Sequence, residues 1–219
     1  MLKKIKLVVF DLDGTLVDAY KAVAASLNHA LKSFNYPPLD DHTIKRSVGW
    51  GDKNLVSKFV SAEDVDRVLS VYRSHHRSAL KSGTKFLPGA RQLLDELKKD
   101  GYQLAIASNR PSRFTHIILK HLEVKGHFAA VVCADEVASA KPAPDCLLKI
   151  LKTCQVKAEE ALYVGDMTID METGQRAGVK TVGIITGSST EEEIKKSGPR
   201  WIIHHPSELS KILQELAEE

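Results

Sequence analysis

The sequence contains few cysteines and no long apolar stretch, and both absences exclude classes of protein. Among 219 residues there are 3 cysteines, and Cys133, Cys146 and Cys154 have no Cys-x-x-Cys spacing, so neither a disulfide framework nor a zinc site is indicated. No apolar run approaches the ~18 residues of a membrane-spanning helix. The apolar run between Lys6 and Asp11 is also shorter than the ~7 residues of a signal-peptide core. We therefore expect a cytoplasmic protein with no membrane partner.

An excess of one charge sign is absent too. Lys and Arg number 31 against 28 Asp and Glu, which gives a net charge of +3 and no reason to expect a nucleic acid partner. The composition, 43% apolar and 27% charged, is ordinary for a globular protein and argues against disorder. At roughly 150 residues per domain, the length allows one domain with a smaller insertion. The sequence does not distinguish a monomer from a homodimer.

Short apolar runs rich in β-branched residues recur along the chain, at 5–10, 103–107, 129–134, 161–165, 181–186 and 201–204. Segments with helical spacing lie between most of them. This alternation predicts βαβ units and an α/β fold with a doubly wound, Rossmann-like parallel sheet.

One long segment interrupts the alternation. Apolar residues recur every three or four positions from Val17 to Phe34 and again from Val65 to Leu80, which predicts helices. Nothing in this region predicts a strand. We expect an α/β core of residues 1–16 and 83–219, with a helical domain of residues 17–82 inserted after the first strand.

Polar residues follow several of the predicted strands. These are Asp11 and Asp13 after the first, Ser108 and Asn109 after the second, Lys141 beyond the third, and Asp166 and Asp170 after the fourth. The carboxyl ends of parallel strands share one edge of a sheet, so these side chains should converge.

Their chemistry suits one task, the transfer of a phosphoryl group. Such a reaction needs a cation, hydrogen-bond donors for the phosphate oxygens and a nucleophile in line with the leaving oxygen. Carboxylates such as Asp11, Asp166 and Asp170 are ligands that Mg²⁺ prefers. Lys141 and Ser108 offer charge and hydrogen-bond donors.

The sequence resembles the haloacid dehalogenase-like hydrolase superfamily, and within it the phosphoglycolate phosphatase-like group, over essentially the whole chain. The motifs that carry the resemblance are Asp11-Leu12-Asp13-Gly14-Thr15, Ser108-Asn109, Lys141-Pro142 and Gly165-Asp166 through Asp170. The resemblance implies that the inserted helical domain is the family's cap. It also implies a Mg²⁺-dependent reaction through a phospho-aspartate.

The resemblance assigns a role to each motif residue. Asp11 is implied as the nucleophile, and Asp13 as the general acid and base that also gives its backbone carbonyl to Mg²⁺. Asp166 completes the protein ligands of the metal, and Asp170 supports the metal site. Ser108, Asn109 and Lys141 are implied to hold the phosphoryl group.

Asp13 favours phosphoryl transfer, because it can protonate a leaving alcohol, whereas dehalogenases and phosphonatases do not resemble the chain at this position. The substrate is expected to be a small phosphorylated metabolite, with 2-phosphoglycolate first. A β-phosphoglucomutase-like enzyme, a pyrophosphatase and a non-catalytic binding relative stay open.

The helical domain contains one segment typical of a binding site, residues 45–53. Gly49 and Gly51 permit a tight loop, and this loop resembles that of phosphoglycolate phosphatase-like enzymes. Arg46 and Lys53 are candidate ligands of a substrate carboxylate.

Overall fold

The computed structural model of the chain describes residues 4–218 and contains a parallel sheet of 6 strands. In chain order the strands of this sheet are β1 (Leu7–Phe10), β4 (Gln103–Ser108), β5 (Ala130–Cys133), β6 (Ala161–Gly165), β7 (Lys180–Ile184) and β8 (Trp201–Ile203), and a separate pair comprises β2 (Val17–Asp18) and β3 (Lys85–Phe86). The spatial order β5-β4-β1-β6-β7-β8 confirms the predicted doubly wound α/β fold. Each predicted apolar run overlaps one of the 6 strands.

The helices are α1 (Tyr20–Ser33), α2 (Asp41–Ser47), α3 (Asp52–Ser57), α4 (Val65–Gly83), α5 (Ala90–Lys99), α6 (Ser112–His121), α7 (Asp145–Cys154), α8 (Thr168–Ala177), α9 (Glu191–Lys196) and α10 (Glu208–Glu218). Among the described residues, none of these helices has the length and apolarity needed to cross a membrane.

Helices cover both faces of the sheet, which is why its strands are apolar throughout. Val8 and Phe10 of β1 pack in one cluster with residues of α5, α6 and α10. Leu7 and Val9 point the other way and pack with α7. Alternate residues of a strand face opposite sides of the sheet, so β1 is buried along its whole length.

Helices α1 to α4, here called the helical block (Tyr20–Gly83), pack around a cluster of their own. Val23 and Leu27 of α1 contribute to it together with Val68 and Tyr72 of α4. The predicted division at residues 16/17 and 82/83 stays a prediction, and residues 1–3 and 219 of the predicted core lie outside the described residues.

The expectation of no strand within residues 17–82 is wrong. Val17 and Asp18 form β2, which pairs antiparallel with β3 through Val17–Phe86 and Asp18–Lys85. A strand of 2 residues is too short to produce an alternating pattern in the sequence. This ladder joins the two chain segments that enter and leave the helical block.

Candidate active site

The carboxyl edge of the sheet gathers the polar residues that the sequence singled out. Asp11 follows β1, Ser108 ends β4, and Asp166 follows β6. Strand β1 pairs with both β4 and β6, so the three positions are neighbours across the sheet. All three side chains are buried.

Lys141 lies at the centre of this edge and is 4% exposed. Its Nζ donates hydrogen bonds to Asp11 Oδ1 at 2.7 Å and to Asp170 Oδ1 at 2.6 Å. Burial opposes the charge on this amine, but the carboxylates of Asp11 and Asp170 raise the pKa of Lys141 above its ordinary value. The side chain is therefore a fixed cation beside Asp11.

Tyr163, in the middle of β6, is part of this arrangement and was missed from the sequence. Its hydroxyl accepts from Lys141 Nζ at 3.0 Å and donates to Asp170 Oδ1 at 2.8 Å. Asp170 Oδ2 accepts from the backbone N–H of Met167 at 3.0 Å. Both oxygens of Asp170 are thus engaged in orienting Lys141 and the start of α8. Within an apolar strand, a tyrosine gives no sequence signal of such a role.

Asp166 is fully buried and is held from two sides. Its Oδ1 accepts from Thr15 Oγ1 at 3.1 Å, and its Oδ2 accepts from the backbone N–H of Ser188 at 2.8 Å. A Cβ on Gly14 or Gly187 would overlap this carboxylate. The backbone therefore approaches Asp166 closely, which fixes its orientation toward Asp11.

Oxygen atoms of Asp11, Asp166 and Asp170 lie within 4.8 Å of one another. Burial, followed by the charges of Asp11 and Asp170, raises the pKa of Asp166 well above its usual range. Burial also raises the pKa of Asp11 to about 7, although Lys141 opposes the shift. Such crowding of buried carboxylates is relieved by a bound cation.

Asn109 connects three parts of the site through its side-chain amide. Nδ2 donates to the carbonyls of Gly49 at 3.0 Å and Lys141 at 3.1 Å, while Oδ1 accepts from the N–H of Lys141 at 2.9 Å. The amide thereby joins the loop after β4 to the Lys141 loop and to the helical block. In this structure its polar atoms bind backbone groups.

Gly49 lies at the contact between the helical block and the sheet edge. Its φ is +101°, a region that side chains with a Cβ rarely adopt, and a Cβ there would overlap the sulfur of Met167. Gly51 also has a positive φ, +87°. The loop conformation thus favours glycine at both positions. The side chain of Trp50, which lies between them, is 45% exposed.

We expect Gly49→Ala to lower the free energy of unfolding by about 1–3 kcal/mol, because the backbone strain and the overlap with Met167 add. Urea denaturation of the purified variant measures this. Gly126→Ala is the matched control, since a Cβ there meets nothing within 4 Å. Equal urea midpoints for Gly49→Ala and Gly126→Ala would contradict the requirement for glycine at position 49.

Asp13 is paired with Arg110, a residue that sequence reasoning did not single out. Arg110 Nε donates to Asp13 Oδ2 at 2.7 Å and Nη2 donates to Oδ1 at 2.8 Å. The guanidinium side chain is 9% exposed. Its place directly after Ser108 and Asn109 was the available sequence signal.

A cavity opens between the sheet edge and the helical block, with about 60 Å³ accessible to the centres of water molecules. This space accommodates several waters or a small ligand. The core side contributes polar residues to its lining, including Asp11, Asp13 and Lys141. The helical block contributes Val23 and Leu55 together with Val48, Tyr72, Gly49, Gly51, Tyr20 and Asp52.

Arg46 and Lys53 are not among the described residues that line this cavity. Arg46 forms a two-point ion pair with Glu193 and also donates to the carbonyl of Ser188. Lys53 pairs with Asp66 at 2.9 Å on the surface. Both cations are therefore bound to residues that are not among the other predicted site residues.

Residues 8–184 match the family model described as haloacid dehalogenase-like hydrolase. A phosphoglycolate phosphatase of Aquifex aeolicus (strain VF5) is 31% identical over 208 residues, covering 95% of this chain and 96% of the relative. A phosphoglycolate phosphatase of Mesorhizobium japonicum is 30% identical, with 97% and 95% covered. A crystal structure from Haemophilus somnus 129pt, described as a predicted phosphoglycolate phosphatase, has a TM-score of 0.90, 25% identity and coverage of 97% and 99%. The chain therefore belongs to the haloacid dehalogenase-like hydrolase family, in its phosphoglycolate phosphatase-like group, and is a phosphoric monoester hydrolase.

Proposed function

We propose that the protein is a Mg²⁺-dependent phosphatase that hydrolyses 2-phosphoglycolate through a phospho-aspartate on Asp11. One observation carries the mechanism: Lys141 Nζ, buried and charged, lies 2.7 Å from Asp11 Oδ1 within a cluster of buried carboxylates that faces a small cavity. This combination supplies a nucleophile together with a cation for the phosphate oxygens.

The donor set fits a divalent cation. The charged groups of the site are the carboxylates Asp11, Asp13, Asp166 and Asp170 and the cations Lys141 and Arg110. Carboxylate groups outnumber the cationic side chains in this cluster, and Mg²⁺ would relieve their crowding. The ligands are hard oxygens, as Mg²⁺ prefers. Asp11 and Asp166 would hold it with the backbone carbonyl of Asp13, and Asp170 would support the site by orienting Lys141.

When bound, Mg²⁺ would supply charge neutralisation for the phosphate that approaches these carboxylates. The chain's own residues do the rest. In the first step Asp11 attacks phosphorus, the bond to the ester oxygen breaks, and Asp13 donates a proton to the leaving alcohol. In the second step Asp13 takes a proton from water, which attacks the phospho-aspartate and releases phosphate and free Asp11.

Lys141 and Ser108 would bind the phosphoryl oxygens, because both side chains line the cavity next to Asp11. The side-chain amide of Asn109 bonds the backbone of Lys141. Asn109 would therefore act on the phosphoryl group indirectly, by positioning the Lys141 loop. The predicted cap, residues 17–82, would exclude bulk water from the site.

The choice of 2-phosphoglycolate is supported by relatives named phosphoglycolate phosphatase that align over nearly the whole chain. The small cavity supports a substrate of few atoms. We place the enzyme in the cytoplasm, where Cys133, Cys146 and Cys154, free in the structure, would stay reduced. Whether it is a monomer or a homodimer stays a prediction.

A panel of metabolite phosphates assayed with Mg²⁺ tests the proposal. We expect the kcat/KM for 2-phosphoglycolate to exceed the panel median by at least about 10-fold. A best value for a hexose phosphate, with isomerised product, would identify a mutase, and a best value for pyrophosphate would identify a pyrophosphatase. Absence of turnover on every substrate would identify a binding relative. Each of these results would overturn the proposed substrate.

A further inference from the structure

We propose that Arg110 binds the second anionic group of the substrate, a carboxylate next to the phosphate ester, and that His76 is a positioning residue for it. This inference rests on the proposed phosphatase function and concerns how the same site selects its substrate. It differs from the expectation for Arg46 and Lys53, which form ion pairs with Glu193 and Asp66.

Of the cationic side chains described in the lining of the cavity, Arg110 is the one to which the proposed chemistry assigns no role. Among the described residues that line the cavity, the cationic side chains are Arg110 and Lys141. Lys141 is held by Asp11 and Asp170 at the nucleophile. A second anion on the substrate would therefore meet Arg110, since the helical block contributes no cation to the described lining.

The hydrogen bonds of Arg110 leave part of its guanidinium for a ligand. A guanidinium has five N–H groups. Asp13 accepts from Nε and Nη2, and His76 Nε2 accepts from Nη1 at 2.7 Å. Bonds to described residues thus use three N–H groups, and one N–H on each Nη is left. These two N–H groups of the guanidinium fork, together with its positive charge, are available to the oxygens of a carboxylate.

His76 fixes the direction of this fork from the helical block. Arginine only donates hydrogen bonds, so His76 Nε2 is the acceptor and Nδ1 carries the ring proton. Nδ1 donates to Ser26 Oγ at 3.0 Å, and Ser26 Oγ donates to the carbonyl of Ala22 at 2.7 Å. The chain of bonds runs from Arg110 through α4 to the backbone of α1.

The ring of His76 is immobilised by its neighbours. It stacks on Tyr72 with centroids 4.8 Å apart, and Phe114 meets it edge-on at 5.0 Å. Burial, with the nearby charge of Arg110, lowers the pKa of His76 to about 2, so the ring stays a neutral acceptor. Asp13 raises the pKa of Arg110, so the guanidinium stays charged.

The position of Arg110 sets the size of the substrate. Its partner Asp13 is two residues from Asp11, and all three side chains line the same small cavity. A carboxylate bound by Arg110 is therefore separated from the phosphoryl group by a short spacer. A phosphorylated 2-hydroxy acid has this form.

The test uses two substrates that differ in one group, 2-phosphoglycolate and ethyl phosphate. The quantity measured is the ratio of their kcat/KM values. Any effect of a substitution on Asp13 is common to both substrates and cancels in this ratio. We expect Arg110→Gln to lower the ratio about 100-fold and Arg110→Lys about 10-fold, because lysine keeps the charge and loses the fork.

Arg113→Gln is the matched control, since Arg113 is exposed on α6 and absent from the described lining; its ratio should equal that of the wild type. His76→Phe keeps a ring and removes the acceptor, so the ratio should fall about 10-fold, and His76→Gln should restore it to within about threefold. An unchanged ratio in both Arg110 variants would overturn the role of Arg110. A ratio that falls equally in both His76 variants would overturn positioning through the acceptor.

Thermal unfolding shows whether each variant folds. If Arg110→Gln does not fold, the role of Arg110 is tested with Arg110→Lys and with inhibitors of the wild type. Phosphonoacetate, which has a carboxylate, should bind the wild type at least about 30-fold more tightly than ethylphosphonate. Equal binding would overturn the inference. A wild type that hydrolyses both esters with the same kcat/KM would also overturn it and leave the phosphatase standing. A wild type that hydrolyses neither would overturn the proposed function itself.

Discussion

Replacement of Asp11 by asparagine is expected to lower kcat by at least about 10⁴-fold, because an amide oxygen does not attack phosphorus to form a stable acyl phosphate. Asparagine has nearly the same volume as aspartate, so the fold should persist. Lys141 keeps its bond to Asp170 at 2.6 Å, so the loss of one partner does not leave this buried amine unpaired. Steady-state kinetics with Mg²⁺ and 2-phosphoglycolate measures the effect.

Acid-quenched wild-type enzyme should retain radioactive phosphate from labelled substrate, and Asp11→Asn should retain none. Asp13→Asn should slow turnover through the missing proton donor and still accept the label with a reactive leaving group. The exposed Asp41 offers the control Asp41→Asn, for which wild-type kcat is expected. Near-normal turnover by Asp11→Asn would refute the covalent mechanism.

Removal of divalent cations is expected to have the second largest effect. A chelator should reduce activity to background and Mg²⁺ should restore it, because the uncompensated carboxylates would repel the phosphate dianion. Mg²⁺ at 100 times its Kd would add about 2.7 kcal/mol of stability, which for a chain of this length raises the unfolding temperature by at least about 5 °C. Scanning calorimetry measures this without any substrate.

Asp166→Asn should abolish both the activity and the Mg²⁺-dependent rise in unfolding temperature. A second group of potential ligands, Cys133, Asp135 and Glu136, provides the control: Asp135→Asn should retain the full response to Mg²⁺. Full activity after exhaustive chelation, or an equal thermal response of the two variants, would refute the metal assignment.

The strands could be predicted from the sequence because a sheet covered on both faces makes its strands apolar at every position. Leu7, Val8, Val9 and Phe10 are each at most 1% exposed, so the signal of β1 was strong. The ladder of β2 and β3 carried no such signal. Its pairing of Val17 with Phe86 joins residues far apart in the chain, and only the closure of the helical block brings them together.

In the candidate site, too, some residues could be predicted from the sequence and others could not. Asp11, Ser108 and Asp166 were predictable as a group, because each follows a strand and parallel strands end at one edge. Arg110 and His76 were not, because their contact depends on how α4 packs over the loop after β4. Arg46, expected from its residue type to bind a substrate carboxylate, forms an ion pair with Glu193 of α9, and its predicted role stays a prediction.

The β2–β3 ladder has a consequence for how such a chain diversifies. Its paired strands hold the segments that flank the helical block, residues 17–18 and 85–86, about 5 Å apart. The block is therefore an excursion that leaves and rejoins the core at one place. Insertions of this geometry can be lengthened, shortened or exchanged while the host fold keeps its strand order. The residues proposed for bond breaking all belong to the host. Arg110 belongs to the host too, whereas the histidine that aims it belongs to the excursion. An exchanged block would therefore inherit the chemistry intact and would have to re-create the partner of that one arginine.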